Sequence, residues 1–129
     1  MTAAWPALVT LLTVLLLLYT MFMVGGARRR YGIKAPATTG HPDFERVFRA
    51  QMNTLEATVM FLPCLWLAAV HWNPYWAGYV GLAWVAARFW YAIGYAQAAE
   101  KRSAGFGIAF LANLVLLGAA AWGLLAPLL

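Results

Sequence analysis

The sequence predicts an all-α integral membrane protein, four helices packed as one bundle, with residues 1–129 forming a single domain. Three observations predict it. Hydrophobic residues fill 64% of the 129 positions and charged residues only 10%, where a soluble domain carries roughly a quarter charged. So much apolar surface cannot be hidden in one small core, but a bilayer can take it. Four long apolar stretches, each near the roughly 20 residues that cross hydrocarbon as a helix, are joined by short polar connections. The basic residues gather in or near the first and third connections, or on the second and third helices, and the second connection has none.

The first stretch, residues 5–26, contains no charge. Gly25 and Gly26 are expected to close the helix there, with Arg28, Arg29 and Arg30 at the interface. Residues 1–4 contain no basic side chain and three arginines follow, so a retained span is favoured over a cleaved signal peptide. Residues 31–41 form a polar loop rich in turn formers, including Pro36 and Gly40. Pro42 suits the first turn of a second helix, where Asp43 and Glu45 complement the helix dipole. That helix runs over 42–70, with a kink expected at Pro63. His71, Trp72, Asn73 and Pro74 make a turn into a third helix over 75–99. Residues 100–105 lead into a fourth over 106–125. Positive charge favours the cytoplasmic face, so both charged connections are expected there and both termini opposite. Trp5, Trp72, Trp76 and Trp122 then fall near the outer interface, where aromatic side chains collect.

Composition also narrows the partners. A net charge of +5 would suggest nucleic acid in a soluble protein. Beside long apolar runs it is better explained by membrane topology and an anionic small ligand. Cys64, the single cysteine, has no internal partner for a disulfide and reads as a buried thiol. The histidines and cysteine do not stand at metal-ligand spacing, so no metal site is expected.

The second helix carries the chemistry. Arg46, Arg49, Gln51, Asn53 and Glu56 lie within an otherwise apolar span, and ionisable groups there are costly unless they face protein or water. Arg49, Asn53 and Glu56 stand at i, i+4 and i+7, on one helical face. Gln51 points to the other side, toward what an oligomer would supply as a neighbouring subunit. On the third helix Arg88, Tyr91 and Tyr95 begin a stripe that Arg102 completes. Guanidinium groups, a carboxylate, amides and phenols together suit a zwitterionic, peptide-like ligand, since Arg matches carboxylate bidentately and Glu56 can take an ammonium. The structural alternative is an ion-pair network, with Arg49 on Glu56 and Arg88 capped by backbone carbonyls. His41 and His71 are assigned no chemistry.

These residues also carry a resemblance. The run Asp43-Phe44-Glu45-Arg46-Val47-Phe48-Arg49-Ala50-Gln51-Met52-Asn53, followed by Glu56, resembles the signature of the MAPEG family, membrane-associated proteins in eicosanoid and glutathione metabolism. Residues 36–40 and 87–96 fit it as well, so the resemblance covers essentially the whole chain. It is nearest to the leukotriene C synthase and microsomal glutathione transferase types. The resemblance implies a homotrimer of four-helix subunits that holds glutathione between adjacent subunits near the cytoplasmic face. It implies that Arg49, Asn53, Glu56, Tyr91 and Tyr95 contact glutathione from one subunit, and Arg88, in the same stripe, is read with them as a glutathione-binding residue. Arg28 and Gln51 would reach in from the next subunit. Arg102 matches the arginine beside the glutathione sulfur, and Arg29 a second arginine near the reacting centre.

The implied activity is conjugation of glutathione to a lipophilic electrophile arriving through membrane lipid, or reduction of a lipid hydroperoxide, in a bacterial inner membrane or endoplasmic reticulum. Several positions depart from the leukotriene enzyme. Its tyrosine after the glutamate is Ala57, its lipid-clamping tryptophan is Leu114, and a common family proline is Val59. Ser103 is similar to the prostaglandin E synthase branch. A general detoxification transferase or peroxidase fits better than a dedicated eicosanoid enzyme. The alternative is a non-catalytic lipid- or glutathione-binding protein resembling the arachidonate-presenting member. That member lacks arginines at the positions of Arg49 and Arg102, both present here. A small multidrug transporter would need a carboxylate in the first helix, and residues 5–26 have none.

Overall fold

A computed structural model describes residues 3–129. It contains four long helices, α1 (Ala4–Tyr31), α2 (Pro42–His71), α3 (Pro74–Gln97) and α4 (Ser103–Leu125). A 3₁₀ turn, Ala99–Arg102, joins α3 to α4, and another, Ala126–Leu128, follows α4. No strand occurs among the described residues.

α1 extends five residues beyond the expected stop at Gly26, through all three arginines. Two glycines cost a helix only about 1 kcal/mol each, whereas leaving their backbone groups unpaired in hydrocarbon costs more. The helix ends instead at Gly32, whose φ of 69° is the left-handed conformation that closes a helix. Arg28, Arg29 and Arg30 then occupy the last turn, where cations complement the carbonyl end of the dipole. Threonines inside α1 satisfy themselves: Thr10 and Thr13 donate to the Pro6 and Val9 carbonyls, each at 2.8 Å.

α2 starts at Pro42, and the His41 imidazole accepts from the Asp43 N–H at 3.1 Å as its cap. Asp43 pairs with Arg46 one turn on, so Arg46 serves the start of the helix. The helix runs unbroken through Pro63. α3 is capped by Asn73, whose Oδ1 accepts from the Tyr75 and Trp76 N–H groups at 2.9 and 3.1 Å. It ends at Gln97, and α4 begins at Ser103, three residues before the expected start. The link between them shrinks to one 3₁₀ turn because the backbones meet closely there. A Cβ on Gly94 would lie 2.7 Å from the Lys101 carbonyl oxygen, and one on Gly105 2.6 Å from the Tyr91 nitrogen.

α2 and α3 form the centre of the bundle, and each packs against both α1 and α4. The core holds Phe61 and Trp84, whose rings stack 3.7 Å apart and nearly parallel, with Val9, Leu16, Leu65 and Leu116 fully buried around them. Small residues bring α3 close to its neighbours at Ala77, Gly78, Gly81 and Ala87, as tight packing between membrane helices requires. The outward surface is apolar, with Phe22, Val59, Met60 and Leu111 all more than half exposed.

Three segments are long and apolar enough to cross a membrane by themselves: Ala4–Tyr31, Pro42–His71 and Ala99–Leu128. α3 falls short only because it carries Arg88 and several Tyr, Trp and Gly residues. Its 24 residues reach about 36 Å. Joined by short turns to two spans, it crosses with them. Trp5, Trp76 and Tyr79 cluster at one end, with ring centroids 5.4 and 5.8 Å apart. The charged connections lie at the other.

Candidate functional site

At the charged end, α2, α3 and the 3₁₀ turn bring together seven of the residues singled out above. The links form a chain. Arg49 and Glu56 pair across two turns of α2 at 3.7 Å, both more than half exposed. Between them stands Asn53, whose Oδ1 accepts from the Arg88 guanidinium at 3.1 Å. Arg88 also donates to the Thr54 hydroxyl at 2.8 Å and lies 4.0 Å over the Tyr91 ring. Tyr91 meets Tyr95 edge to face, centroids 5.6 Å apart. The Tyr95 hydroxyl accepts from Arg102 at 3.3 Å.

The two ends of this chain differ in character. Arg88 is 1% exposed, and its partners are side chains of α2 rather than the backbone carbonyls of the structural alternative. Buried beside an amide, a hydroxyl and an aromatic face, it ties α3 to α2 and fixes Asn53 and Tyr91 in place. Arg102 is exposed. Held only by Tyr95, over whose ring it lies at 5.2 Å, its guanidinium keeps donors free for an anion.

Two cavities meet at this chain. One, of about 440 Å³, is lined by Asn53, Tyr91, Arg102, Ser103 and Phe106. The second, of about 340 Å³, runs between α2 and α4. Asn53, Glu56 and Arg88 edge its charged end, and Trp84, Met60, Phe110, Leu114 and Leu117 line its apolar length. Asn53 and Phe106 belong to both. A polar chamber beside a free cation thus opens onto an apolar groove at bilayer depth. This arrangement can hold a charged, water-soluble reactant against a lipophilic one.

Three predicted residues lie elsewhere in the chain. Gln51 lines a separate groove between α1 and α2 with Val14, Leu18, Met21 and Leu55. Arg28 donates to the Ala37 carbonyl at 2.7 Å and stacks 5.0 Å from the Phe44 ring, and with Arg29 it lines a cavity at the start of the first connection. One chain does not bring these three to Arg102. Sequence reasoning missed Thr54 as the partner of Arg88, and it missed Asn113, a half-buried amide in the apolar groove. Thr54 follows Asn53 directly, and a buried arginine needs acceptors. Asn113 is the single carboxamide in α4. Both signals were present.

A sequence model of the MAPEG family matches residues 6–122. The chain belongs to the MAPEG family. Human microsomal glutathione S-transferase 2 is 45% identical over 103 residues, 78% of this chain and 70% of that protein. Bovine leukotriene C4 synthase is 42% identical over 123 residues, 95% of this chain and 82% of the relative. An uncharacterized protein of Synechocystis is 50% identical over 112 residues, 87% of this chain and 82% of its own length. As a MAPEG protein with an apolar exterior and three self-sufficient spans, the chain is an integral membrane protein, related to enzymes named for glutathione transfer and leukotriene synthesis.

Proposed function

We propose that this protein is a membrane glutathione transferase that joins the glutathione thiolate to lipophilic electrophiles. The observation that carries the reading is Arg102, an exposed guanidinium at a polar chamber that opens onto the apolar groove. A thiol is a poor nucleophile until it loses its proton, and a nearby cation favours the thiolate. Arginine stays protonated and is not the base, so the proton leaves to water. The sulfur then attacks an electrophilic carbon presented from the groove and a C–S bond forms. The displaced halide departs, or an epoxide oxygen opens and takes a proton. A lipid hydroperoxide is a second substrate class for the same thiolate. Two glutathiones reduce it to an alcohol and water, leaving glutathione disulfide.

Arg49, Asn53, Glu56, Tyr91 and Tyr95 are the proposed glutathione contacts of one subunit, with Arg88 holding Asn53 and Tyr91 in position. Arg28, Arg29 and Gln51 sit away from this chamber in a single chain, which supports a homotrimer whose sites lie between subunits. Arg28 and Gln51 would then reach the neighbour's glutathione, and Arg29 would lie near its reacting centre. The charged connections face the cytoplasm in this reading, where glutathione is available.

The test is ultraviolet absorbance of the detergent-solubilised protein on adding glutathione. The wild type is expected to develop a thiolate band that Arg102→Ala lacks, and Arg49→Ala is expected to lose glutathione binding. Binding without a thiolate would instead favour a non-catalytic binding protein.

A further inference from the structure

Asn113 is out of place in α4. It is the only carboxamide in a helix otherwise built from apolar and small residues after Ser103, and it lines the apolar groove. Among the described residues its one hydrogen-bond partner is the Cys64 thiol, an Nδ2–Sγ contact at 4.0 Å. A thiol is a weak acceptor, and the Asn113 carbonyl oxygen has no donor among the described residues. At bilayer depth no water is at hand to satisfy it.

Its position gives a length. Phe106, shared by both cavities, marks where the groove meets the polar chamber, and Asn113 follows it by two helical turns. That places the amide about 10 Å further along α4. The walls between are apolar, including Ala109 and Phe110. A plain alkyl chain lying there leaves the carbonyl oxygen unpaired, whereas a chain with a hydroxyl at that depth donates to it.

We propose that Asn113 is a specificity-determining residue that selects electrophiles carrying a hydroxyl on the chain, about 10 Å along the groove from its junction with the polar chamber. This rests on the transferase reading above and names the class of lipophilic substrate for its groove.

The test uses glutathione and a series of 2-alkenals of increasing length, each as the plain alkyl compound and with a terminal hydroxyl. The thiolate adds to the β-carbon and the α-carbon takes a proton, so nothing leaves. The wild type is expected to prefer the hydroxylated member in kcat/KM by about five- to tenfold, the net worth of one hydrogen bond, and only at the length that reaches Asn113. Asn113→Leu is expected to bring that ratio to about one. Asn113→Gln, longer by one methylene, should keep a preference but move it to a shorter chain. Cys64→Ala removes the thiol partner and should keep the wild-type ratio.

Equal rates for both members of every pair in the wild type would overturn the inference and leave the transferase standing. A wild type that conjugates neither member of any pair would overturn the inference, and the presence or absence of the thiolate band with glutathione decides whether the transferase reading falls with it. If Asn113→Leu does not fold, the shift with Asn113→Gln decides, and an unshifted optimum overturns the proposal. If Asn113→Leu changes the mass of the solubilised oligomer while the ratio stays at its wild-type value, Asn113 is a subunit contact and the proposal fails.

Discussion

Arg88 and Arg49 carry the same charge on one polar stripe, yet their substitution is expected to read out differently. Arg88 is enclosed, and its removal strands the Thr54 hydroxyl inside the bundle and frees the half-buried Asn53 amide. Each buried group left unpaired costs about 1–3 kcal/mol, so Arg88→Met is expected to lower the melting temperature in detergent markedly and to weaken glutathione binding along with it. Arg88→Lys is expected to rescue little, because an ammonium does not reproduce a planar cation that bonds two partners while stacked on Tyr91. Arg49 is more than half exposed and pairs with an equally exposed Glu56. Exposed pairs contribute little to stability. Arg49→Ala should therefore leave the melting temperature within about 0.5 kcal/mol of equivalent stability and lose glutathione affinity. Calorimetric titration beside a thermal melt separates the two cases. A melting loss for Arg49→Ala as large as for Arg88→Met would contradict this division. The periodicity of the second helix put Arg49, Asn53 and Glu56 on one face. That Arg88 is a buried strut while Arg102 is exposed and held only by Tyr95 was not legible, because it depends on which side chains the third helix meets across the bundle.

At the scale of elements, the closeness of α3 and α4 rests on glycine. A methyl group at Gly105 would stand 2.6 Å from the Tyr91 nitrogen and 2.7 Å from the Ala87 carbonyl oxygen, both backbone atoms that cannot turn aside. Gly105→Ala is expected to push the helices apart, costing about 1–3 kcal/mol, and to impair the site because Tyr91 moves with α3. Gly107, two residues on, has nothing within 4 Å of such a methyl. Gly107→Ala should keep the fold and gain about 1 kcal/mol of helix propensity. Paired thermal melts check both, and a destabilising Gly107→Ala would mean that another subunit covers that face. The same two helices show where sequence reading of boundaries stopped. Hydropathy marked the apolar run from Phe106, but α4 begins at Ser103 because the close approach at Gly94 and Gly105 leaves room for only a single 3₁₀ turn. At the first helix, Gly25 and Gly26 looked like an end. In hydrocarbon a helix outlasts weak formers, and the left-handed Gly32 was the real stop.

For the whole molecule, the bundle was legible because four apolar runs separated by short polar links leave an up-and-down arrangement as the simplest packing. The complete site was less so. Seven predicted residues meet within one chain, while Gln51 faces the α1–α2 groove and Arg28 and Arg29 lie by the first connection. If sites form between subunits of a homotrimer, two inactive chains should repair one another. Arg102→Ala removes the cation proposed to hold the thiolate, and Arg28→Ala removes the group proposed to reach the neighbour. Each variant alone is expected to be inactive as a homo-oligomer. Co-expressed, a chain with an intact Arg102 can sit beside a chain with an intact Arg28, and each mixed trimer then contains one complete site. With equal amounts and random assembly, about a quarter of all sites are whole in a closed ring of three. Transferase activity of the co-purified mixture should recover to about that fraction of wild type. Mixing the two proteins after separate purification should recover none until subunits exchange. Recovery that stays at zero in the co-expressed sample would place Arg28 outside the shared site. Activity in the Arg28→Ala protein alone would show that a single chain suffices without it.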